Sequence, residues 1–133
     1  MKSTKSSPDE NKGDQSQNSL PNCDVQTLIE FDREARRLSK KYSSLGSEID
    51  ELAEKLRQNP TMGTPLGRSC YKIRLAIASK GKGKSGGARV ITHYYIRGET
   101  IYLLSIYDKA EQENISEERI DELLLGIKET ESP

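Results

Sequence analysis

The chain has 133 residues, enough for one domain, with 21 lysines and arginines against 21 aspartates and glutamates. A net charge of zero excludes a surface that attracts nucleic acid everywhere, and two cysteines with a single histidine predict neither a disulfide framework nor a metal site. No apolar run approaches the length of a membrane span, and the N-terminus lacks the apolar core of a signal peptide. The sequence therefore predicts a cytoplasmic protein without membrane contact.

Charge is distributed unevenly along the chain. Residues 72–109 carry eight lysines and arginines against two acidic residues, and residues 110–133 carry the reverse. A basic middle and an acidic tail indicate a local site for a polyanion, or else two solvated faces without a ligand.

The first 22 residues contain almost nothing apolar. Such a segment buries too little surface to offset the entropy lost on ordering, so residues 1–22 are predicted to be a disordered extension. The folded domain is predicted to occupy residues 23–129, followed by a short tail at 130–133.

Two amphipathic helices are predicted after a short first strand. Val25–Phe31 is rich in β-forming residues, and Asp32 is positioned to cap the first helix. Apolar residues then recur at helical spacing until Pro60, near which the second helix should end. They are Phe31, Ala35, Leu38 and Tyr42 in the first helix, and Leu45, Ile49, Leu52, Ala53 and Leu56 in the second.

A sheet and a last helix are predicted in the second half of the chain. Residues 60–70 are rich in Pro and Gly and predict a loop. Alternating apolar residues predict strands within 71–78 and 88–96, and a short turn leads to a third strand at Ile101–Tyr107. Ser116 is positioned to cap the last helix. The order β-α-α-β-β-β-α indicates an α+β domain, an antiparallel sheet with the helices on one face.

The segment Ala78–Ser85 has the glycine and lysine spacing of a Walker A phosphate loop, with alanine at its first position. A Walker A loop must open a helix, but residues 86–96 alternate and predict a strand. The better interpretation is a basic hairpin loop whose glycines let the backbone approach phosphates, or a solvated loop without a ligand. The lysines of this loop are Lys80, Lys82 and Lys84.

Four polar residues lie opposite the most apolar positions of their strands and are predicted to share the sheet face away from the helices. They are Arg74, Arg89, His93 and Tyr95. Two arginines, an aromatic and lysines at the rim suit an RNA strand with its phosphates held and a base stacked. Alternatively, the arginines pair with carboxylates of the acidic last helix.

Between residues 72 and 116 the sequence resembles the RelE/HigB toxins of bacterial type II toxin–antitoxin modules, in the HigB-like branch of the RelE/ParE superfamily. The resemblance rests on a K-I-R strand, a lysine–glycine loop, S-G-G before an R-V-I strand, and I-Y-D-K-A-E at the end of the last strand. It implies a small fold like that of microbial ribonucleases. It also implies an endoribonuclease that cuts messenger RNA in the ribosomal A site without a metal or cofactor, by attack of the RNA 2′-hydroxyl on the scissile phosphate.

The resemblance implies roles for the basic residues. Arg89 matches the strand arginine that binds the scissile phosphate in this family. Arg74 matches the arginine of the K-I-R strand, and Lys109 matches the basic residue after the last strand. The basic loop is matched by Lys80 at its rim, Lys82 and Lys84.

The sequence does not identify the residue that acts as the general acid. Some relatives carry a tyrosine six residues after the last basic position, where this chain has Ile115. Three residues are candidates for the general acid in its place: Tyr95, His93 and Tyr107. For His93, a role in packing is the alternative.

The expected partners follow from the same resemblance. They are a cognate helix-turn-helix antitoxin, the ribosome with its messenger RNA, and operator DNA only indirectly through the antitoxin. Two alternatives stay open: a non-nuclease relative such as a ParE-like gyrase poison, and an inactive domain that only binds RNA. The lysine–glycine loop disfavours the first, while Ile115 and the neutral net charge keep the second open.

Overall fold

A mixed five-stranded sheet with helices on both faces forms the fold. The structure, a computed structural model, describes residues 23–80 and 86–131. The elements are β1 (Asp24–Thr27), α1 (Ile29–Lys41), α2 (Leu45–Gln58), β2 (Thr64–Gly67), β3 (Cys70–Leu75), β4 (Ala88–Tyr95), β5 (Thr100–Asp108) and α3 (Glu117–Glu131). The strand order is β1-β5-β4-β3-β2, with β1 parallel to β5 and the other pairs antiparallel. The predicted α+β class is confirmed, and the sheet gains the strand β2.

The helix α1 begins earlier than the sequence predicts. The predicted first strand continues past Thr27, but β1 ends there and α1 begins at Ile29. Leu28 is buried, its N–H donates to the carbonyl of Leu103, and its own carbonyl accepts the N–H of Asp32, both at 3.1 Å. The predicted boundary was wrong because burial of Leu28 against the sheet sets where the chain turns. Asp32 consequently lies in the first turn of the helix and not at its cap.

Residues 60–70, predicted as a loop, contain the edge strand β2. This strand pairs with β3 only, and its Pro65 lies on a sheet edge where a backbone donor is not needed. Gly67, Arg68 and Ser69 then turn the chain into β3 with positive φ angles of 89°, 57° and 59°. The strand escaped prediction because Pro and Gly, the usual signals of a loop, are tolerated at a sheet edge.

Both faces of the sheet are covered, so the expectation that all helices lie on one face was wrong. The helices α1 and α2 pack on one face, where Leu38 and Leu52 meet Val90. The helix α3 packs on the other face, where Leu123 meets Ile91. The strands β4 and β5 bury apolar side chains on both sides, and each side therefore needs a covering layer.

A β-bulge in β5 decides which of its side chains face α3. The pairing of β5 with β4 skips Leu104, which is the extra residue of the bulge. Strand residues alternate between faces, so the odd separation of Tyr102 and Tyr107 would normally put them on opposite sides. The bulge reverses the alternation, and both tyrosines pack in the cluster beneath α3. Tyr107 thereby comes to pair with Arg89 in the register of the sheet.

The other predicted features of the helices are confirmed. Ser116 caps α3, since its hydroxyl oxygen accepts the N–H of Arg119 at 3.1 Å and its carbonyl accepts the N–H of Ile120 at 3.1 Å. The apolar positions predicted in the first two helices lie in the core or pack against it, except Ala53. The buried ones are Phe31, Leu38, Tyr42, Leu45, Leu52 and Leu56.

We expect Gly63→Ala to destabilise the fold, because Gly63 has a φ of +103° and an added Cβ would lie 2.7 Å from the carbonyl oxygen of Lys72. The free energy of unfolding, measured by urea denaturation, should fall by at least about 1 kcal/mol. Gly46→Ala is the matched control, because no atom lies within 4 Å of its added Cβ and Gly46 lies in α2. There the same methyl group should stabilise by about 0.5–1 kcal/mol. Equal effects of the two substitutions would contradict this account.

Candidate functional site

A cationic cleft of about 320 Å³ opens on the sheet face that also carries α3. Its walls come from β2, β3, β4 and the segment that follows β5. It is lined by Thr64, Lys72, Arg74, Arg89, Lys109, Glu113 and Asn114. Four of these side chains are cations and one is a carboxylate, so the cleft attracts anions.

Two of the cations face each other across neighbouring strands. Arg74 of β3 and Arg89 of β4 are partners in the register, so their side chains leave the same face with Cβ atoms about 5 Å apart. Like charges directly opposite each other in a sheet repel. An anion bound between the two guanidinium groups would relieve this repulsion while accepting charge-assisted hydrogen bonds. The pair therefore favours binding of a phosphate.

The two arginines differ in burial. Arg89 is 6% exposed and its Nη1 donates to the carbonyl of Ala88 at 3.1 Å, whereas Arg74 is exposed. A guanidinium held by packing meets an anion with little further loss of side-chain entropy. Arg89 is thus suited to fix a phosphate at the floor of the cleft, and Arg74 to close over it from the rim.

The segment after β5 supplies the facing wall of the cleft. Lys109 Nζ lies 3.4 Å from Glu113 Oε2, and Lys72 Nζ donates to Asn114 Oδ1 at 3.2 Å. The side chain of Glu113 is 81% exposed, so its ion pair with Lys109 is weak in water. Both lysines can therefore exchange these partners for a phosphate oxygen.

Tyr107 lies next to Arg89 in the sheet and buries its hydroxyl. Among the residues that the structure describes, this hydroxyl has no hydrogen-bond partner. Burial raises the pKa of Tyr107, and the nearby Arg89 acts in the opposite direction. The phenol therefore stays protonated at neutral pH. Of the three residues considered for the general acid, Tyr107 is the one paired in register with the predicted phosphate ligand.

His93 and Tyr95 share the α3 face of β4 with Arg89 but lie farther along the strand. Four positions separate His93 from Arg89, a distance of about 13 Å along an extended chain. There α3 covers the sheet: Tyr95 packs against the cluster that contains Leu123, and His93 Nδ1 lies 3.7 Å from Cys70 Sγ. The structure therefore does not bring His93 or Tyr95 into the cleft.

The three loop lysines have separate outcomes. Lys82 and Lys84 lie outside the described residues. Lys80 ends a short 3-10 turn, and its ammonium forms an ion pair with Asp108 in which the two side chains are 9% and 1% exposed. The charge of Lys80 is thus directed towards the end of α1, whose C-cap residue donates to the same carboxylate, and not into the cleft.

Sequence reasoning missed four residues that line the cleft. Lys72 precedes Arg74 by two positions on an alternating strand, so the period of the strand could have placed both on one face. Thr64 belongs to the edge strand hidden by its Pro and Gly neighbours. Glu113 and Asn114 lie in a connection without periodicity, and only the tertiary structure brings them to the site.

No metal-ligand cluster occurs in the described part of the chain, and both of its cysteines are buried. No group of three or more His, Cys, Asp or Glu within residues 23–80 and 86–131 is arranged to hold a metal ion. The cysteines Cys23 and Cys70 are free and buried, and burial raises the pKa of Cys70 to about 11. Within the same ranges, no helix has the length and apolar character needed to cross a membrane.

The fold and the site together define a small α+β protein with a cationic cleft on its sheet. A sequence-family model described as "RelE toxin of RelE / RelB toxin-antitoxin system" matches residues 27–129, a range that includes every residue lining the cleft. The chain belongs to this RelE toxin family. The HigB-like branch stays a prediction, since the match does not separate branches.

A solved RelE toxin has the same fold. This arginine-to-alanine variant of Escherichia coli toxin RelE in the free state matches with a TM-score of 0.53 at 14% identity, covering 77% of this chain and 95% of that one. The toxin–antitoxin complex RelBE2 of Mycobacterium tuberculosis gives 0.48 at 19% identity, covering 68% and 94%. The intact E. coli RelBE complex gives 0.43 at 19% identity, covering 65% and 95%. At such identities the first match concerns the fold alone.

We expect Arg74→Ala to stabilise the ligand-free protein at low salt, because it removes the like charge opposite Arg89. The gain in the free energy of unfolding should be about 0.2–1 kcal/mol and should shrink in about 0.5 M salt, which screens the repulsion. Arg97→Ala, at an exposed arginine in the turn after β4, is the control and should show no such salt-dependent gain. Urea denaturation at both salt concentrations measures this. Destabilisation by Arg74→Ala at low salt would contradict the repulsion.

We expect His93 to weaken the fold in acid. Burial lowers the pKa of His93, against a raising effect of its backbone contact with Arg68, so the unfolded chain binds the proton more tightly. Neutral His93 then makes its full contribution to the free energy of unfolding above the unfolded-state pKa of about 6.5, and this contribution declines as the pH falls below that value. His93→Gln should flatten the loss of unfolding free energy between about pH 7.5 and pH 5.5. Parallel curves for both proteins would refute this account.

Proposed function

We propose that this chain is the toxin of a type II toxin–antitoxin system and an endoribonuclease that cuts messenger RNA on the ribosome. The observation that carries the proposal is the pair of Arg74 and Arg89, in register within a cleft that also holds Lys72 and Lys109. Membership of the RelE toxin family supports the same function. A chain of phosphates is the ligand that such a row of cations suits, and RNA supplies it.

The proposed reaction uses the 2′-hydroxyl of the RNA as its nucleophile. The 2′-oxygen bonds to the adjacent phosphorus, the bond from phosphorus to the 5′-oxygen breaks, and a 2′,3′-cyclic phosphate and a free 5′-hydroxyl result. One proton leaves the 2′-hydroxyl and one reaches the departing 5′-oxygen. Negative charge accumulates on the phosphorane oxygens, where fixed cations lower the barrier most.

The cleft residues divide these tasks by position. Arg89, fixed by burial, holds the scissile phosphate and stabilises the phosphorane, while Arg74 and Lys72 hold the strand beside it. Lys109 is close enough to the same cleft to exchange its contact with Glu113 for the reacting phosphate. Lys82 and Lys84 of the basic loop are further proposed RNA contacts, carried over from the family resemblance. The resemblance leaves the acid for the 5′-oxygen unassigned, and Tyr107, the register partner of Arg89, is the proposed candidate. Lys80, His93 and Tyr95, which the sequence also predicts for this site, do not line the cleft.

The proposed partners are a cognate antitoxin with a helix-turn-helix domain, and the ribosome with its messenger RNA. The family to which the chain belongs is described by its toxin–antitoxin system, which supports an antitoxin here. Contact with operator DNA would be made by the antitoxin. The proposed compartment is the cytoplasm, where ribosomes are.

We expect the purified protein to cut messenger RNA on programmed ribosomes, and Arg89→Gln to lower kcat by about 100- to 1,000-fold through loss of phosphorane stabilisation. Primer extension measures the cuts. Arg74→Ala tests the same cleft at an exposed position, so its loss of activity cannot result from unfolding. Arg97→Ala, an exposed arginine outside the cleft, is the control and should cut normally.

The outcomes separate the proposed function from its alternatives. Full activity of both cleft variants would show that the reaction takes place elsewhere on the protein. Binding of RNA without cleavage by the wild-type protein would indicate a domain that only binds RNA. Inhibition of DNA gyrase in the absence of RNA cleavage would indicate a gyrase poison.

A further inference from the structure

A buried polar cluster lies at the end of β5, on the side of the sheet that carries α1. The carboxylate of Asp108 accepts the Tyr42 hydroxyl at 2.7 Å and forms an ion pair with Lys80. The Lys80 ammonium also lies 5.5 Å from the centre of the Tyr42 ring. Burial alone would raise the pKa of Asp108, but hydrogen bonds from Lys80, Tyr42 and Ala110 outweigh burial and hold the pKa below its ordinary value. The carboxylate is therefore charged and paired at neutral pH.

The turn that carries Lys80 is attached independently to the start of α2, at its N-cap Ser44 and its first-turn residue Glu48. The N–H of Ala78 donates to Glu48 Oε2 at 2.8 Å, and the N–H of Ser79 donates to Ser44 Oγ at 3.0 Å. The hydroxyl oxygens of Ser44 and Ser79 lie 2.8 Å apart and share a further hydrogen bond. The backbone of Lys80 is consequently fixed before its side chain pairs, which lowers the entropy lost on pairing.

Asp108 also holds the segment that carries Lys109. Its Oδ1 accepts the N–H of Ala110 at 2.9 Å, and its backbone carbonyl accepts the N–H groups of Glu111 and Gln112 at 3.0 Å. The first residues after β5 therefore form a turn built around Asp108. Lys109 is part of this turn, and its own N–H donates to the carbonyl of Gly87 at 3.0 Å, so the carboxylate and the sheet together set its backbone position.

Glu111 completes the attachment of this turn to α1. Its carboxylate accepts a hydrogen bond from Arg37 at 2.8 Å and lies 3.5 Å from Lys41. Asp108 and Glu111 thus contact residues of α1 and its C-cap. Lys109, which lies between them in the sequence, lines the cleft. A shift of Asp108 would therefore move Lys109 relative to the other cations of the cleft.

We propose that Lys80 is the counter-ion of Asp108, and that this buried pair is a positioning device that sets Lys109 in the cleft. The proposal rests on the proposed function, because the positioning serves RNA cleavage. It gives Lys80 a role other than the RNA contact that the sequence predicts. The pair is neutral as a unit and shielded from solvent, so Lys80 adds little to the attraction that the cleft exerts on RNA.

The first test uses the wild-type protein and the acetylation rate of each lysine, read by mass spectrometry. The rates are compared without RNA and with a single-stranded RNA carrying 2′-O-methyl groups, which cannot be cut. Lys80 should react several-fold more slowly than the exposed Lys40, at the same rate with and without RNA. Lys109 should react readily and become protected by RNA. A reactive Lys80 that RNA protects would overturn the proposal.

The second test uses Lys80→Met, Asp108→Asn and the double variant, with Lys40→Met as the control. Lys80→Met should lower kcat by up to about 100-fold through misplacement of Lys109, with little change in KM. In the double variant the amide oxygen introduced by Asp108→Asn can accept the N–H of Ala110 in place of Oδ1, and the amide NH2 in place of Oδ2 can donate to the hydroxyl oxygen of Tyr42. No buried charge then lacks a partner, so most of kcat should return. Lys40→Met should behave as the wild type.

The salt dependence of RNA affinity separates positioning from direct contact. Each phosphate contact contributes about 0.7 to the slope of log affinity against log salt for single strands. Lys109→Ala should lose about that much, and Lys80→Met should lose as much because it displaces Lys109, whereas the double variant, in which Lys109 is back in place, should keep the full slope. A double variant that folds, cuts as slowly as Lys80→Met and has a reduced slope would make Lys80 an RNA ligand.

The two proposals fail in different ways. Absence of both cleavage and RNA binding by the wild-type protein would refute the proposed function, while slow acetylation of Lys80 would still support its pairing with Asp108. Normal cleavage by a folded Lys80→Met variant would refute the positioning role and leave the proposed function intact. If Lys80→Met does not fold, the kcat of the double variant decides between the two roles.

Discussion

The central strands β4 and β5 bury apolar side chains on both faces, and the need to cover both faces places every other element of the fold. The helices α1 and α2 form one layer against these strands, and α3 forms part of the other. The part of the second face next to α3 carries Lys72, Arg74 and Arg89, and the exposed Arg74 and half-buried Lys72 keep it in contact with water. The cleft is therefore the portion of a two-sided core where the second layer is incomplete.

At the end of β5, charged side chains are paired and buried on one face of the sheet and lie close to like charges on the other. Asp108 and Lys109 are neighbours in sequence, but one is buried in a pair with Lys80 and the other lines the cleft. The buried pair satisfies each charge and fixes backbone position, at a desolvation cost that its hydrogen bonds offset. In the cleft, Arg74 and Arg89 lie opposite each other, which lowers stability and favours binding of an anion. The buried Lys80–Asp108 pair thus lies on one face of the sheet, and the cleft with the proposed function lies on the other.

Local patterns predicted those features that depend on a few neighbouring residues. The period of apolar residues located the helices through Leu38 and Leu52, the Ser116 cap located α3, and alternation placed Arg74 and Arg89 on a common face. The strand β2 was missed because its Pro65 is acceptable only at a sheet edge, and edges are a property of the assembled sheet. The bulge at Leu104, which turns Tyr107 to the face that carries Arg89, likewise has no signal in the sequence.

The sequence by itself determined an α+β domain with a basic segment and, through its motifs, the resemblance to RelE toxins, because periodicity and motif order are carried by short stretches of chain. The tertiary structure alone decided which cations share a site. It directed Lys80 to Asp108, left His93 and Tyr95 in the region of the sheet that α3 covers, and brought Lys72 and Lys109 beside the two arginines. A side chain's partners depend on strand register and on the layer packed above it, and these are set by residues distant in sequence.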